Sequence, residues 1–322
     1  MLLHEPMEMV VDPAFRSDVL LGLRARPRAI PARWFYDHHG SELFEAITRL
    51  PEYYPTRVET AIFAERATDI AQMTGQGRAV VEFGAGSAVK TPLILAAISP
   101  SAYVPVDISG AFVRASADTL RGQFPHLEIL PVEADFMHDV PLPKEIENLP
   151  KLGFFPGSTI GNLIARSAVD LLRRMRFTLG VGSMLLIGMD RVKDEETLVR
   201  AYDDASGVTA RFNKNLLVRI NRELKGTIAV DQFVHVARWN ESYARIEMHL
   251  QALRDMAFSV DGEAFSMAAG ETIHTENSHK YGARDARLLL RAGGWSPVAE
   301  WTDGDDRFAV ILAEARAQKS AP

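Results

Sequence analysis

Residues 80–90 of this 322-residue chain, VVEFGAGSAVK, constrain its fold more than any other stretch. An apolar run that ends in an acid and passes into Gly84 and Gly86 predicts a buried strand turning tightly into a helix. The glycines let backbone come close to a ligand, and the first amides of such a helix attract an anion. A second predicted strand, residues 103–106, ends in Asp107, from which a carboxylate can accept from both hydroxyls of a ribose. A third, residues 127–131, leads into Glu133-Ala134-Asp135-Phe136, where Asp135 can accept from an adenine amino group and Phe136 can cover the ring. Together these segments describe a sheet with an adenosine laid across its strand ends.

Two cofactors share that adenosine. The pattern Gly84-x-Gly86-x-x-Val89 lacks the third glycine by which dinucleotide enzymes pack helix against strand. A methionine carboxylate needs less room than a pyrophosphate, and Lys90 can meet it, so S-adenosyl-L-methionine is favoured over NAD.

Further strands are predicted over residues 79–83, 152–156 and 183–189, alternating with helices that include residues 59–73, and such alternation implies a parallel sheet covered on both faces. Residues 297–301 and 308–313 form a hairpin-like pair around Asp303-Gly304-Asp305. That reversed ending resembles the class I S-adenosylmethionine methyltransferases, an α/β class with a Rossmann-like seven-stranded sheet. The expected division is residues 59–193 plus 281–322 for this cofactor-binding domain. Residues 1–58 plus 194–280 are expected to form an inserted α+β substrate-binding domain. In it, residues 195–205 and 210–224 read as helices and residues 232–239 and 244–252 as antiparallel strands. Ser41 is the expected N-cap of a helix over residues 42–50, and residues 51–56 read as a proline-bounded turn.

Composition removes several classes. There are 36 lysines and arginines against 42 acids, a formal charge of -6, which argues against nucleic acid as a partner. No cysteine is present, so disulfides, thiolate metal sites and cysteine nucleophiles are excluded, and a reducing cytoplasm suits the chain. No apolar run approaches the roughly 20 residues that span a bilayer, and the first residues carry acids where a secretory peptide is basic. A cytoplasmic monomer without membrane contact is expected. The nine histidines show no helical i, i+4 pair with an acid, so no metal is expected; His126, His138, His235 and His249 read as isolated residues.

WFYD with Phe44 soon after, LPEYYPTR, EFGAGSAVK, EADF, GSTIGN, RAYDDASGVTA, NRE, IEMHL and TENSHKY, in this order, resemble the histidine Nα-methyltransferases of ergothioneine biosynthesis. The resemblance spans nearly the whole chain. It implies trimethylation of the α-amine of L-histidine to hercynine. It assigns the cofactor to Gly84, Lys90, Asp107, Asp135 and Phe136. It assigns histidine to Tyr53, Asn162, Tyr202, Glu276 and Ser278, with Gly157 and Tyr36 at the reacting amine and Met248 beside the imidazole. Glu276 can accept from one imidazole N–H while the Ser278 hydroxyl donates to the other nitrogen, which selects a neutral ring. Asn162 and Tyr202 can donate to the α-carboxylate. Asn162, Tyr36 and Tyr53 are the expected catalytic group: Asn162 fixes the amino-acid backbone, and the amine proton leaves through water near the two tyrosines. Ser87-Ala88-Val89 and Asn277 depart from the family's pattern without removing a contacting group. The alternatives are an N-methyltransferase of another amino acid such as tryptophan or a derivative, a non-catalytic protein that binds the cofactor or histidine, and a nicotinamide oxidoreductase.

Overall fold

The structure, a computed structural model, describes residues 11–86 and 90–317, so the departure at Ser87-Ala88-Val89 lies outside the described residues. Two compact units emerge: Tyr54–Lys193 with Ser278–Pro322, and Met1–Tyr53 with Asp194–Asn277.

The larger unit is built on a sheet in the order Ser296–Thr302, Phe308–Glu314, Met184–Asp190, Lys151–Phe155, Ala79–Phe83, Ala102–Asp107 and Glu128–Ile129. Its inner strands pair in parallel, and Phe308–Glu314 runs antiparallel to both neighbours. This is the expected seven-stranded arrangement with a reversed last strand. The strand expected over residues 127–131 is two pieces, Glu128–Ile129 and Val132–Glu133, both parallel to Ala102–Asp107. Pro131 lies between them and has no N–H for the ladder. The strands are apolar on both faces, as a sheet covered on both sides requires. Val81, Val104, Phe155, Leu185 and Ile311 are buried together with Leu171, Leu172 and Met175 of the helix Ala165–Leu179. Trp295 closes this core, its indole N–H donating to the Leu172 carbonyl at 2.9 Å.

The smaller unit holds a four-stranded sheet in the order Arg28–Ala29, Thr272–His279, Arg245–Ala252 and Phe233–Asn240, together with the hairpin Met256–Val260 and Glu263–Met267. The helices His38–Thr48 and Val208–Glu223 pack on each other. The first of these starts earlier than expected because Asp37, not Ser41, caps it: its Oδ1 accepts from the Gly40 N–H at 2.7 Å. Residues 51–56 are not a separate turn either. The helix Tyr54–Thr74 begins there and takes Pro55 into its first turn, where a missing N–H costs nothing. Among the described residues, no helix is long and apolar enough to cross a membrane.

Candidate active site

In the larger unit, the strand order reverses at Ala79–Phe83, which pairs with Ala102–Asp107 on one side and Lys151–Phe155 on the other. The carboxyl ends at such a point form a crevice for ligands. Gly84 follows the first of these strands at φ +75°, its N–H donating to the Val106 carbonyl at 2.8 Å. A Cβ there would lie 3.3 Å from the Phe136 ring, so glycine lets that ring sit over the strand end. Phe136 is braced edge-on by Phe155, with ring centroids 5.7 Å apart. Asp107 ends the neighbouring strand; burial pushes its carboxyl above the usual range, while the Ser109 N–H holds Oδ1 at 2.9 Å. Asp135 is fixed by the Met137 N–H, 2.8 Å from Oδ1. The expected cofactor residues Gly84, Asp107, Asp135 and Phe136 therefore stand at or just beyond the carboxyl ends of the strands, the two acids held by nearby backbone N–H groups and the Phe136 ring by Phe155.

Lys90 is held differently. Its ammonium pairs with Glu59, a carboxylate that is 0% exposed and also accepts from the Gly157 N–H through both oxygens, at 2.9 and 3.0 Å. Lys90 retains further N–H donors. Glu59 went unrecognised in the sequence as anything but the start of a helix. The available signal was an acid at a position flanked by Val58, Ile62 and Phe63, all buried on the same helix. Glu82, the acid that ends the apolar run, is turned inward: it accepts from Tyr103 Oη at 2.6 Å and Thr91 Oγ1 at 2.8 Å, and burial pushes it up to about 7.

Gly157 and Ser158 both take left-handed backbone, and the turn Thr159–Asn162 follows. The Ser158 hydroxyl accepts from the Asp190 N–H at 2.9 Å. Gly161 packs so closely on His279 that a Cβ would lie 2.8 Å from its carbonyl oxygen, and the Gly161 carbonyl is 2.8 Å from His279 Nδ1. This fastening presents Asn162, half-buried, at the end of the turn. Ser278 is buried and its Oγ accepts from Lys280 Nζ at 2.9 Å.

In the smaller unit, Tyr53, Tyr202, Met248 and Glu276 line one small cavity whose remaining walls include Phe44 and Phe212. Tyr53 meets Tyr202 and Phe44 edge-on, at centroid distances of 6.0 and 6.3 Å. Tyr36 does not line it. The Tyr36 ring, 38% exposed, packs on Phe44 and Phe212 at 5.6 and 5.7 Å. A half-buried carboxylate among aromatic walls is suited to a flat ring carrying an N–H.

A buried polar chain holds these walls. His235 Nε2 lies 2.8 Å from the Tyr202 carbonyl and Nδ1 2.8 Å from Asn213 Nδ2. The Thr275 hydroxyl donates to Asn213 Oδ1 at 2.8 Å, with Met248 O also within 3.0 Å. Since an amide NH2 can only donate, His235 is the neutral tautomer with its proton on Nε2; burial lowers its pKa in the same sense. His235 is thus not isolated, and neither is His249, which stacks on His274 at 4.8 Å and reaches Glu247 at 3.1 Å. Glu247, His249 and His274 are close enough to hold a cation. Glu247, however, already accepts two hydrogen bonds from Arg245, at 2.5 and 2.8 Å. Stacked rings also aim their lone pairs along parallel planes rather than at one point.

A family model described as histidine-specific methyltransferase, SAM-dependent, matches residues 15–315. The histidine N-alpha-methyltransferase of Mycolicibacterium smegmatis is 39% identical over 313 residues, covering 93% of this chain and 94% of that one. Its namesake from Mycobacterium tuberculosis is 40% identical over 307 residues, with the same coverage of 93% and 94%. Ergothioneine biosynthesis protein 1 of Neurospora crassa is 29% identical over 303 residues, 90% of this chain but 34% of that longer protein. The chain belongs to the histidine-specific, S-adenosylmethionine-dependent methyltransferase family.

Proposed function

We propose that this enzyme methylates the α-nitrogen of L-histidine three times, yielding hercynine, the first step toward ergothioneine, as a cytoplasmic monomer. The residues assigned to the cofactor all belong to the larger unit, and of those assigned to histidine Tyr53, Tyr202, Met248 and Glu276 belong to the smaller unit and Gly157, Asn162 and Ser278 to the larger. The observation that carries the reading is the cavity of the smaller unit, where Tyr53, Tyr202 and Met248 surround the single carboxylate of Glu276. The names of the mycobacterial and fungal relatives support it further.

The chain's residues fit the cofactor. Asp107 offers acceptors for ribose hydroxyls, Asp135 for an amino group, and Phe136, seated over Gly84, a ring face. Lys90, steadied by Glu59, would keep a donor for a carboxylate. Bound S-adenosylmethionine supplies a methyl group on a sulfonium. No acid is needed for its departure, so the residues serve alignment and a neutral amine. Asn162 and Tyr202 would donate to the α-carboxylate, and Gly157 leaves room at the amine. Water near Tyr36 and Tyr53 would take the proton, with desolvation favouring the uncharged nitrogen. Glu276 and Ser278, two residues apart on the strand Thr272–His279, would pair with the imidazole.

Mass spectrometry of purified enzyme with S-adenosylmethionine and an equimolar pool of the twenty amino acids tests this. Histidine alone should gain one, two and then three methyl groups, and Asn162→Ala should lower kcat/KM about a hundredfold or more. Methylation of tryptophan at a comparable rate would transfer the site to another amino acid, because an indole N–H leaves Ser278 without its acceptor. Binding of both ligands without product would make the chain a sensor.

A further inference from the structure

Glu59 sits where a lone carboxylate would be costly. It is 0% exposed on the helix Tyr54–Thr74 and meets the sheet of the larger unit at Gly188, in the strand Met184–Asp190, where a Cβ would run into its Oε1. A glycine inside a strand forgoes packing and marks a place where another group comes close. Both Glu59 oxygens accept from the Gly157 N–H, and Lys90, whose side chain is 12% exposed, closes the ion pair. A Cβ on Gly157 would lie 3.7 Å from Lys90 Nζ, so the ammonium stands beside the turn that follows the strand Lys151–Phe155. Glu82, a second buried acid of this unit, accepts instead from Tyr103 and Thr91. Glu59 is therefore the carboxylate that balances Lys90, in surroundings where water screens little.

We propose that Glu59 is an electrostatic positioning residue for the cofactor: it cancels the charge of Lys90 while holding that ammonium in place for the methionine carboxylate, so that the crevice takes a sulfonium as readily as the thioether left after methyl transfer. The role rests on the proposed assignment of Lys90 to the cofactor. S-adenosylmethionine carries one more positive charge than S-adenosylhomocysteine, and the two share carboxylate, amine and adenosine. A Lys90 without its partner would serve the shared carboxylate in both ligands but repel only the one with a sulfonium. At a separation of about 8 Å near a protein surface, a unit charge changes binding by a factor of ten or more. A carboxylate that merely fastened the helix to the Gly157 turn would affect both ligands alike, because they differ at the sulfur alone.

Calorimetric titration of the full chain with S-adenosylmethionine and, separately, S-adenosylhomocysteine tests this without histidine, so that no methyl is transferred. At about pH 6, Glu82, which burial pushes up to about 7, keeps its proton and leaves Glu59 and Lys90 as the charges in balance. The wild-type protein should bind the two ligands within about fivefold of each other. Glu59→Gln keeps an oxygen for Gly157 and Lys90 and removes only the charge, so it should weaken S-adenosylmethionine about tenfold more than S-adenosylhomocysteine. Combining it with Lys90→Met makes the pair neutral again: both ligands should bind more weakly, with their ratio back within about twofold of wild type. Equal losses for the two ligands in Glu59→Gln make the residue a structural brace and overturn the proposal, as does a double variant whose ratio stays shifted. So does wild-type protein that binds S-adenosylhomocysteine about fiftyfold tighter than S-adenosylmethionine, a result that needs no variant to fold. Lys90→Met that binds both ligands as wild type does overturns the placement of Lys90 itself, a distinguishable result that removes the role of Glu59 with it.

Discussion

The strand ends of the larger unit and the cavity of the smaller unit differ in how much of each is held by backbone. At the strand ends, Asp107 and Asp135 are each held by a backbone N–H two residues on, and Gly84 bonds through its own N–H to the Val106 carbonyl of the adjoining strand, while the Phe136 ring leans on Gly84 and Phe155. In the cavity, Tyr53, Tyr202, Met248 and Glu276 come from separate segments; a buried relay of His235, Asn213 and Thr275 holds the Tyr202 and Met248 carbonyls, and Tyr53 packs on Tyr202 and Phe44.

The sharpest test of that contrast is its exception. Glu59 is a distant side chain acting inside the larger unit, tying Lys90 to Gly157. Glu59→Ala would leave the Lys90 ammonium without its buried partner, at a cost of about 3–5 kcal/mol, which lowers Tm by roughly 10 °C in a unit of this size. Glu59→Gln, which still accepts from the Gly157 N–H, should lose less. If thermal unfolding of Glu59→Ala matches wild type within about 2 °C, the strand ends do not depend on it and the contrast is complete.

Legibility follows the same division. The strand Ala79–Phe83 is legible to the residue, because five consecutive apolar or buried positions before a glycine have few other solutions. The strand Thr272–His279 gave no such signal: its buried positions are Ile273, Thr275 and Ser278, and two of those three are polar. Glu276 and Ser278 are therefore legible only through the family resemblance of TENSHKY. His235 reads as isolated because Asn213 is 22 positions away in sequence, and His249 because the ring it stacks on, His274, is on a neighbouring strand, although Glu247 lies two residues before it. The Asp37 cap is hidden in the sequence because Ser41, just before Glu42, fits the same rule.

Acid should separate the two units in the opposite direction from base. In the smaller unit, burial, with His274 beside it, pushes His249 down to about 4, whereas the unfolded chain binds that proton near 6.5. The unfolded state is then the more protonated between those values, so stability is lost as pH falls from 6.5 to 4, by about 3 kcal/mol at most. In the larger unit, Glu82 is raised to about 7 against 4.5, so its stabilising proton is present below 4.5 and lost as pH rises to 7, a change of similar size and opposite sign. Hydrogen exchange followed by mass spectrometry at pH 7 and 4.5 should show amides of Arg245–Ala252 losing protection on acidification while those of Ala79–Phe83 gain it. His249→Gln should flatten the first trend and Glu82→Gln the second. Parallel trends in both strands would mean that one global equilibrium, not two local ones, governs the response.

The smallest expected effect concerns Tyr36, which the family resemblance places at the reacting amine and whose ring rests on Phe44 and Phe212 rather than in the cavity wall. Tyr36→Phe keeps that packing and removes only a hydroxyl. If the hydroxyl orders the water that receives the amine proton, its loss costs about one hydrogen bond, or roughly fivefold in kcat, with KM for histidine little changed. Tyr53→Phe, made in the cavity wall, should cost more and act on KM as well. Steady-state kinetics of the two variants decide between a hydroxyl that works on the amine and a ring that only braces its neighbours: equal kcat for Tyr36→Phe and wild type assigns Tyr36 to packing and leaves Tyr53 as the tyrosine at the amine.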